Sequence, residues 1–202
     1  MTTDMEEGAA GRLETVLAIL LGIAAIITAF AAYNASLKDG DTIKAYNQGI
    51  RSITDANGFY NEALQQVNRD EGVFIEFATA AFEDNIDLRD YFKEGLMDDN
   101  LRAAIEEWQD SDDLLSPIEA EAYEVPAQAE AEKLEKQTNT RFAEAQELDD
   151  SGDRFELAGV IGAVSLFFLG IAGVFRSSRM KYTATGIGAV VLLVATVMTI
   201  SA

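Results

Sequence analysis

"LAGVIGAVSLFFLGIAGVFRSSRMKYTATGIGAVVLLVATVMTISA", residues 157–202, decides the fold. It holds two uncharged runs, Leu157 to Phe175 and Tyr182 to Ala202, of 19 and 21 residues. Between them Arg176, Arg179 and Lys181 fall within six residues, the densest basic cluster of a chain with 15 Lys and Arg against 35 Asp and Glu. A third uncharged run, Val16 to Tyr33, has 18 residues. A bilayer core about 30 Å thick takes about 20 apolar residues of helix, so each run is long enough to cross. Three such runs buried in a soluble protein would need a shell that the remaining residues cannot supply. Ala29 to Ala31 could form a signal cleavage site, but the acidic flank "MTTDMEEGAAGR" and the length of the run favour an uncleaved anchor.

The basic cluster then sets orientation. Short cytoplasmic loops carry excess Lys and Arg, which places the 176–181 turn in the cytoplasm, with Arg12 in agreement. The reading is a multi-pass cell-membrane protein: residues 1–12 cytoplasmic, 13–33 the first transmembrane helix, 34–156 outside, 157–175 the second helix, 176–181 the basic turn, and 182–202 the third helix with its end outside. Small-xxx-small pairs at Ala18/Gly22, Ala158/Gly162, Gly159/Ala163 and Ala184/Gly188 suit close packing of the helices on one another, or contact between copies. None of the three runs carries a charge at mid-depth, which argues against an ion relay within one chain.

Residues 34–155 hold 30 Asp and Glu and 11 Lys and Arg, nearly the whole excess of a chain whose net charge is −20. Nucleic acid and anionic lipid both need basic surface, so at this net charge neither is expected as a partner of the chain. Its apolar residues are periodic. Ile43, Tyr46, Ile50, Ile53, Asn57, Tyr60, Leu64 and Val67 alternate by three and four, a heptad seam with Asn57 at one inward position. Asp41, after Gly40, can cap its start. A second, more polar seam runs Ala127, Ala131, Leu134, Thr138, Arg141, Ala145 and Leu148, with Phe142 beside it. Pro126 suits its start, and Asp149 to Gly152 suits a break or bend. The economical arrangement is an antiparallel hairpin, 41–70 with 126–150, continuing the spans outward as a stalk; alternatively the first seam pairs subunits and Asn57 sets register. Residues 71–125 form a helical head. Val73, Phe74, Phe77, Ala81 and Phe82 face inward from one helix, and Leu88, Tyr91, Phe92, Leu101, Ala104, Ile105 and Trp108 from two shorter ones. "LLSPIEAEAYEVP" is an irregular connector. The fold class is all-α: three transmembrane helices plus an extracytoplasmic helical-hairpin stalk with a small helical head.

The chain has no His and no Cys, which removes the usual general base, thiolate ligands and disulfides. Carboxylates are abundant, notably Glu83, Asp84, Asp87, Asp90 and Glu94, the pair Asp98 and Asp99, the group Asp110, Asp112 and Asp113, and Asp149, Asp150 and Asp153. An EF-hand beginning at Asp110 fails, because its fifth and sixth positions are Leu114 and Leu115. No phosphate loop and no G-x-S-x-G elbow occurs. No metal, no cofactor and no enzymatic activity are expected. Asn34-Ala35-Ser36 is a glycosylation sequon beside the first span.

"AFAAYNASL" (29–37), "LRAAIEEW" (101–108) and "DRFELAGVIGAVSLFFLGIAGVFRSSR" (153–179), in the order span, acidic helical domain, span, basic turn, span, resemble uncharacterised prokaryotic three-span membrane proteins. The resemblance implies this architecture and carries no activity or site residue. The expected partners are the lipid bilayer and a protein, or a second copy, bound through the spans or stalk. The expectation is a non-enzymatic protein whose outer domain binds a partner or scaffolds an assembly. The alternative is a subunit of an oligomeric cation channel or transporter with an acidic vestibule.

Overall fold

The computed structural model describes residues 2–111 and 113–202, with side chains from residue 11 onward. The acidic flank at 1–10 and Asp112 therefore lie outside the described side chains. The chain is 90% helical, and no strand occurs among the described residues. In chain order the elements are α1 (Thr2–Phe82), α2 (Ile86–Tyr91) with a π turn at Phe92–Leu96, α3 (Asp99–Asp110), a 3₁₀ turn at Pro117–Glu119, α4 (Pro126–Val174) and α5 (Ser178–Ser201). Three of them, α1, α4 and α5, contain segments long and apolar enough to cross a membrane.

Two expected boundaries are absent. α1 runs through Gly40 and Asp41 without interruption, and Asp41 pairs with Lys44 at 2.8 Å instead of capping. α4 likewise runs through Asp149 to Gly152. Glycine within a helix costs about 1 kcal/mol relative to alanine, which tertiary packing overrides. At Gly152 the packing is visible: a Cβ there would lie 3.2 Å from Asp39 Oδ1 and 3.4 Å from Lys38 Cβ, so this glycine permits contact between helices and does not end one. Both prolines, 117 and 126, lie in or at the edge of the connector, so neither long helix is broken from within. The apolar segment 71–82, expected as a separate helix, is the last stretch of α1.

The contacts divide the chain into two compact units: Met1–Asn47 with Arg141–Ala202, and Gln48–Thr140. In the first unit the packed positions are mainly small. Ala24, Ala31, Ala35, Thr42 and Ala45 of α1, Ala145, Gly152, Ala158, Gly162, Ser165 and Ala172 of α4, and Ala184, Thr185, Gly188 and Ala195 of α5 are buried. The larger buried side chains of this unit are Leu17, Phe155, Leu169 and Leu192. A Cβ at Gly162 would collide with Thr28 Oγ1, and one at Gly188 would lie 2.7 Å from Leu169 Cγ and 3.2 Å from its backbone nitrogen. Ser165 donates a buried 2.9 Å hydrogen bond to the Gly188 carbonyl. The pairs Ala158/Gly162 and Ala184/Gly188 thus lie in the packing, whereas Ala18 and Gly22 are exposed.

The outer surface of this unit is the reverse. Val16, Ile19, Ile23, Ile26, Phe30, Tyr33 and Leu37 of α1, Val160 and Phe167 of α4, and Val190, Leu193 and Ile200 of α5 are exposed. Small residues inside and large apolar ones outside is the pattern of helices packed in lipid, where burying apolar area between helices gains nothing over contact with acyl chains. At one end Lys181 Nζ meets Glu14 at 3.0 Å; at the other Ser151 Oγ donates to the Ala202 carbonyl at 3.0 Å. The helix between these levels measures about 32–35 Å along α4 and α5, close to a hydrocarbon core of about 30 Å. These features fit an integral membrane protein that crosses three times.

Candidate functional site

The second unit, Gln48–Thr140, contains the head and the hairpin segments beneath it. Its hairpin packing is offset from the sequence expectation. The buried positions of α1 are Gly49, Ala56, Ala63 and Asp70, strictly seven apart, and those of α4 are Ala131 and Thr138. This line lies one residue before the expected seam. Consequently Ile50, Asn57 and Leu64 point outward, with Ile50 53% and Leu64 59% exposed, and Ile53, Tyr60 and Val67 are half-buried at the flank. In the first unit Ile43 and Tyr46 are also exposed, with Tyr46 against Phe142 at a ring distance of 5.9 Å. The physical reason is size: small side chains let the two helices approach closely, and there is then no room between them for isoleucine and leucine. On α4 the expected seam is largely kept, since Ala131, Thr138 and Ala145 are buried, Ala127, Leu134 and Leu148 half-buried, and only Arg141 exposed.

The head core joins Phe77 of α1 to Met97 and to Leu101 and Ile105 of α3, with Val73, Phe74, Phe92 and Tyr123 against it. Trp108 stands edge-on to Phe74 at 5.0 Å. Leu88, Tyr91, Ala81 and Phe82 are exposed, because α1 ends at Phe82 in a reversal that turns them away. That end is a Schellman cap: Asp84 takes φ 55°, Asn85 N–H donates to the Ala80 carbonyl at 2.9 Å, and Asp84 N–H to the Ala81 carbonyl at 3.3 Å. Asn85 then caps α2 through Leu88 N–H, and Asp98 caps α3 through Leu101 N–H.

The most organised polar cluster of the head surrounds Asp70, whose side chain is only 3% exposed. Arg69 Nη2 lies 2.8 Å from Asp70 Oδ1 and 3.5 Å from Asp98 Oδ2, and the Tyr123 hydroxyl donates to Asp70 Oδ2 at 2.8 Å. The connector that carries Tyr123 is clasped further. Glu107 accepts the N–H groups of Glu121 (3.0 Å) and Ala122 (2.8 Å), and Asn100 exchanges two 2.8 Å hydrogen bonds with the backbone of Glu124. Gln66 donates to the Glu124 carbonyl at 3.0 Å. Beside the cluster opens a polar groove of about 690 Å³, lined by Glu62, Gln65, Gln66, Arg69, Asp98, Asn100, Glu124 and Pro126.

The chemistry of this cluster is that of a clasp. Each Asp70 oxygen already has a partner. Burial, and then the hydrogen bond to Asp70, push the Tyr123 hydroxyl well above its ordinary value, so it stays protonated as a donor. The hydrogen bond and charge of Asp70 raise Arg69 further, so it stays cationic. Tyr60, raised by its 2.9 Å hydrogen bond to Glu135, ties α1 to α4 in the same way. No group of three or more acidic side chains disposed to hold a metal occurs among the described residues. The cluster was not foreseen from sequence, since Tyr123 and Asp70 are 53 positions apart and belong to no motif.

Of the orientation residues, Arg176 and Arg179 are exposed at the turn between α4 and α5, and Lys181 is committed to Glu14. Asn34 lies within α1, where its amide nitrogen, the atom a glycan would join, donates to the Phe30 carbonyl at 2.8 Å. No family model, curated protein or solved structure matches the chain.

Proposed function

We propose that the protein is a non-enzymatic membrane scaffold. Three spans anchor it, the 176–181 turn faces the cytoplasm, and the acidic helical domain stands outside, where its hairpin associates with a second copy. The observation that carries this reading is the outward line Ile50, Asn57 and Leu64 on α1: large apolar side chains at heptad spacing around one Asn, left over once the small-residue line has closed the hairpin. Heptad lines of this kind bury against a partner helix, and an Asn among them fixes register. The clasp around Asp70 holds the head to the end of α1, which suits a rigid spacer better than a reaction centre.

The chain lacks cysteine, so single cysteines test the reading cleanly. In native membranes, N57C is expected to form a disulfide-linked dimer on mild oxidation, whereas D55C, exposed elsewhere around the helix, stays monomeric. Absence of the N57C dimer, or equal dimer from both, refutes association through this line.

A further inference from the structure

We infer that the groove between α4 and α5 at the basic turn is a binding site for an anionic phospholipid, with the lipid phosphate at Arg179 and the start of an acyl chain along the groove. This shares with the preceding proposal only the premise that α4 and α5 lie in a bilayer. The groove measures about 410 Å³ and is walled by Phe168 and Ile171 of α4, by Phe175 just after it, and by Thr183 and Ile187 of α5, with Arg179 in its lining. From Arg179 to Ile187 it follows α5 for about 12 Å, room for the upper part of an acyl chain. Its position in a membrane-spanning segment makes lipid the surrounding medium, and the question is which lipid it prefers.

Three features of the polar end select an anion. Arg179 lines the groove, Arg176 is exposed one turn away in sequence, and among the described residues neither has a carboxylate within 4.0 Å. Lys181, by contrast, is held by Glu14, so it adds little to the charge on offer. The first turn of α5 forms the same end of the groove, and its N-cap, Ser177, makes no side-chain hydrogen bond to that turn. Backbone N–H groups without intrahelical partners and the positive end of the helix dipole therefore lie at the same end of α5 as Arg179. Basic pockets between transmembrane helices at a membrane interface hold acidic headgroups for the same reasons. A zwitterionic lipid would bring its own cation to Arg179 and lose much of this attraction.

The test is lipid retention. The intact protein, purified in mild detergent, is offered phosphatidylglycerol or phosphatidylcholine with matched chains, and bound lipid is counted by native mass spectrometry. Phosphatidylglycerol is expected to be retained preferentially at one molecule per chain. R179Q should lower that retention about five-fold, the effect of one basic residue at a lipid surface. T183F, which fills the groove from an exposed position without altering charge, should lower it too. R12Q, an exposed cation outside the groove, should leave it unchanged. Equal retention of the two lipids, or an equal loss in R12Q and R179Q, would overturn the site in favour of general surface charge. Undiminished retention in T183F would overturn the groove as the chain's seat.

Discussion

Replacing Ala56 with leucine separates the two possible registers of the hairpin. Ala56 has no exposed surface, and its line includes Gly49 and Ala63, so three added carbons have nowhere to go except between α1 and α4. Overpacking of this kind costs about 1–3 kcal/mol. In a chain of this size each kcal/mol moves the melting temperature by about 2–4 °C, so A56L should melt roughly 2–12 °C lower. Ile50 is 53% exposed, and its truncation to alanine should stay within about 0.5 kcal/mol. Were Ile50 the packed residue, the same truncation would cost about 2–5 kcal/mol. The two registers therefore predict opposite rankings. The assay is a thermal melt of the full chain, kept monomeric in excess detergent and followed by Trp108, the only tryptophan, which reports the head through its contact with Phe74. A larger drop for I50A than for A56L would refute the small-residue register.

Two further outcomes follow from the packing and the clasp. Gly188→Leu places a side chain on Leu169 and should weaken the α4–α5 contact by about 1–3 kcal/mol in a denaturing-detergent titration, whereas Gly186→Leu, with nothing within 4 Å, should be neutral. Tyr123 has a raised value in the folded head, so its contribution to stability is complete below its ordinary value of 10.0 and is lost as pH climbs beyond it. Stability measured by urea titration should therefore fall above about pH 10 in the native chain, and Y123F should remove part of that fall while leaving Asp70 one hydrogen bond short and the head about 1–3 kcal/mol weaker at neutral pH.

The three apolar segments and the all-helical class were legible because they rest on length and on the absence of charge, signals that one chain carries by itself. The α1 seam lies one residue from its sequence expectation, which rests on large apolar side chains facing inward. That rule fails where alanine and glycine let helices meet closely. The better signal was present in Gly49, Ala56 and Ala63, and in Ala131, Thr138, Ala145 and Gly152, all spaced by sevens. Gly40 and Gly152 read as punctuation because an isolated glycine weakens a helix locally, while the structure uses Gly152 as a contact point. The cap at Asp84 was invisible because it adopts a left-handed conformation without glycine. The Asp70–Tyr123 clasp depends on a fold that brings the connector back to α1, and nothing local in either segment announces it.

The proposed topology puts residues 34–156 and the 176–181 turn on opposite sides of a membrane. Single cysteines at Ser111 and Ser178 test it directly with an impermeant thiol reagent on intact cells. Opposite-side placement predicts labelling of S111C and protection of S178C until the membrane is opened. Labelling of S178C with protection of S111C would reverse the orientation, and labelling of both in intact cells would contradict the separation itself.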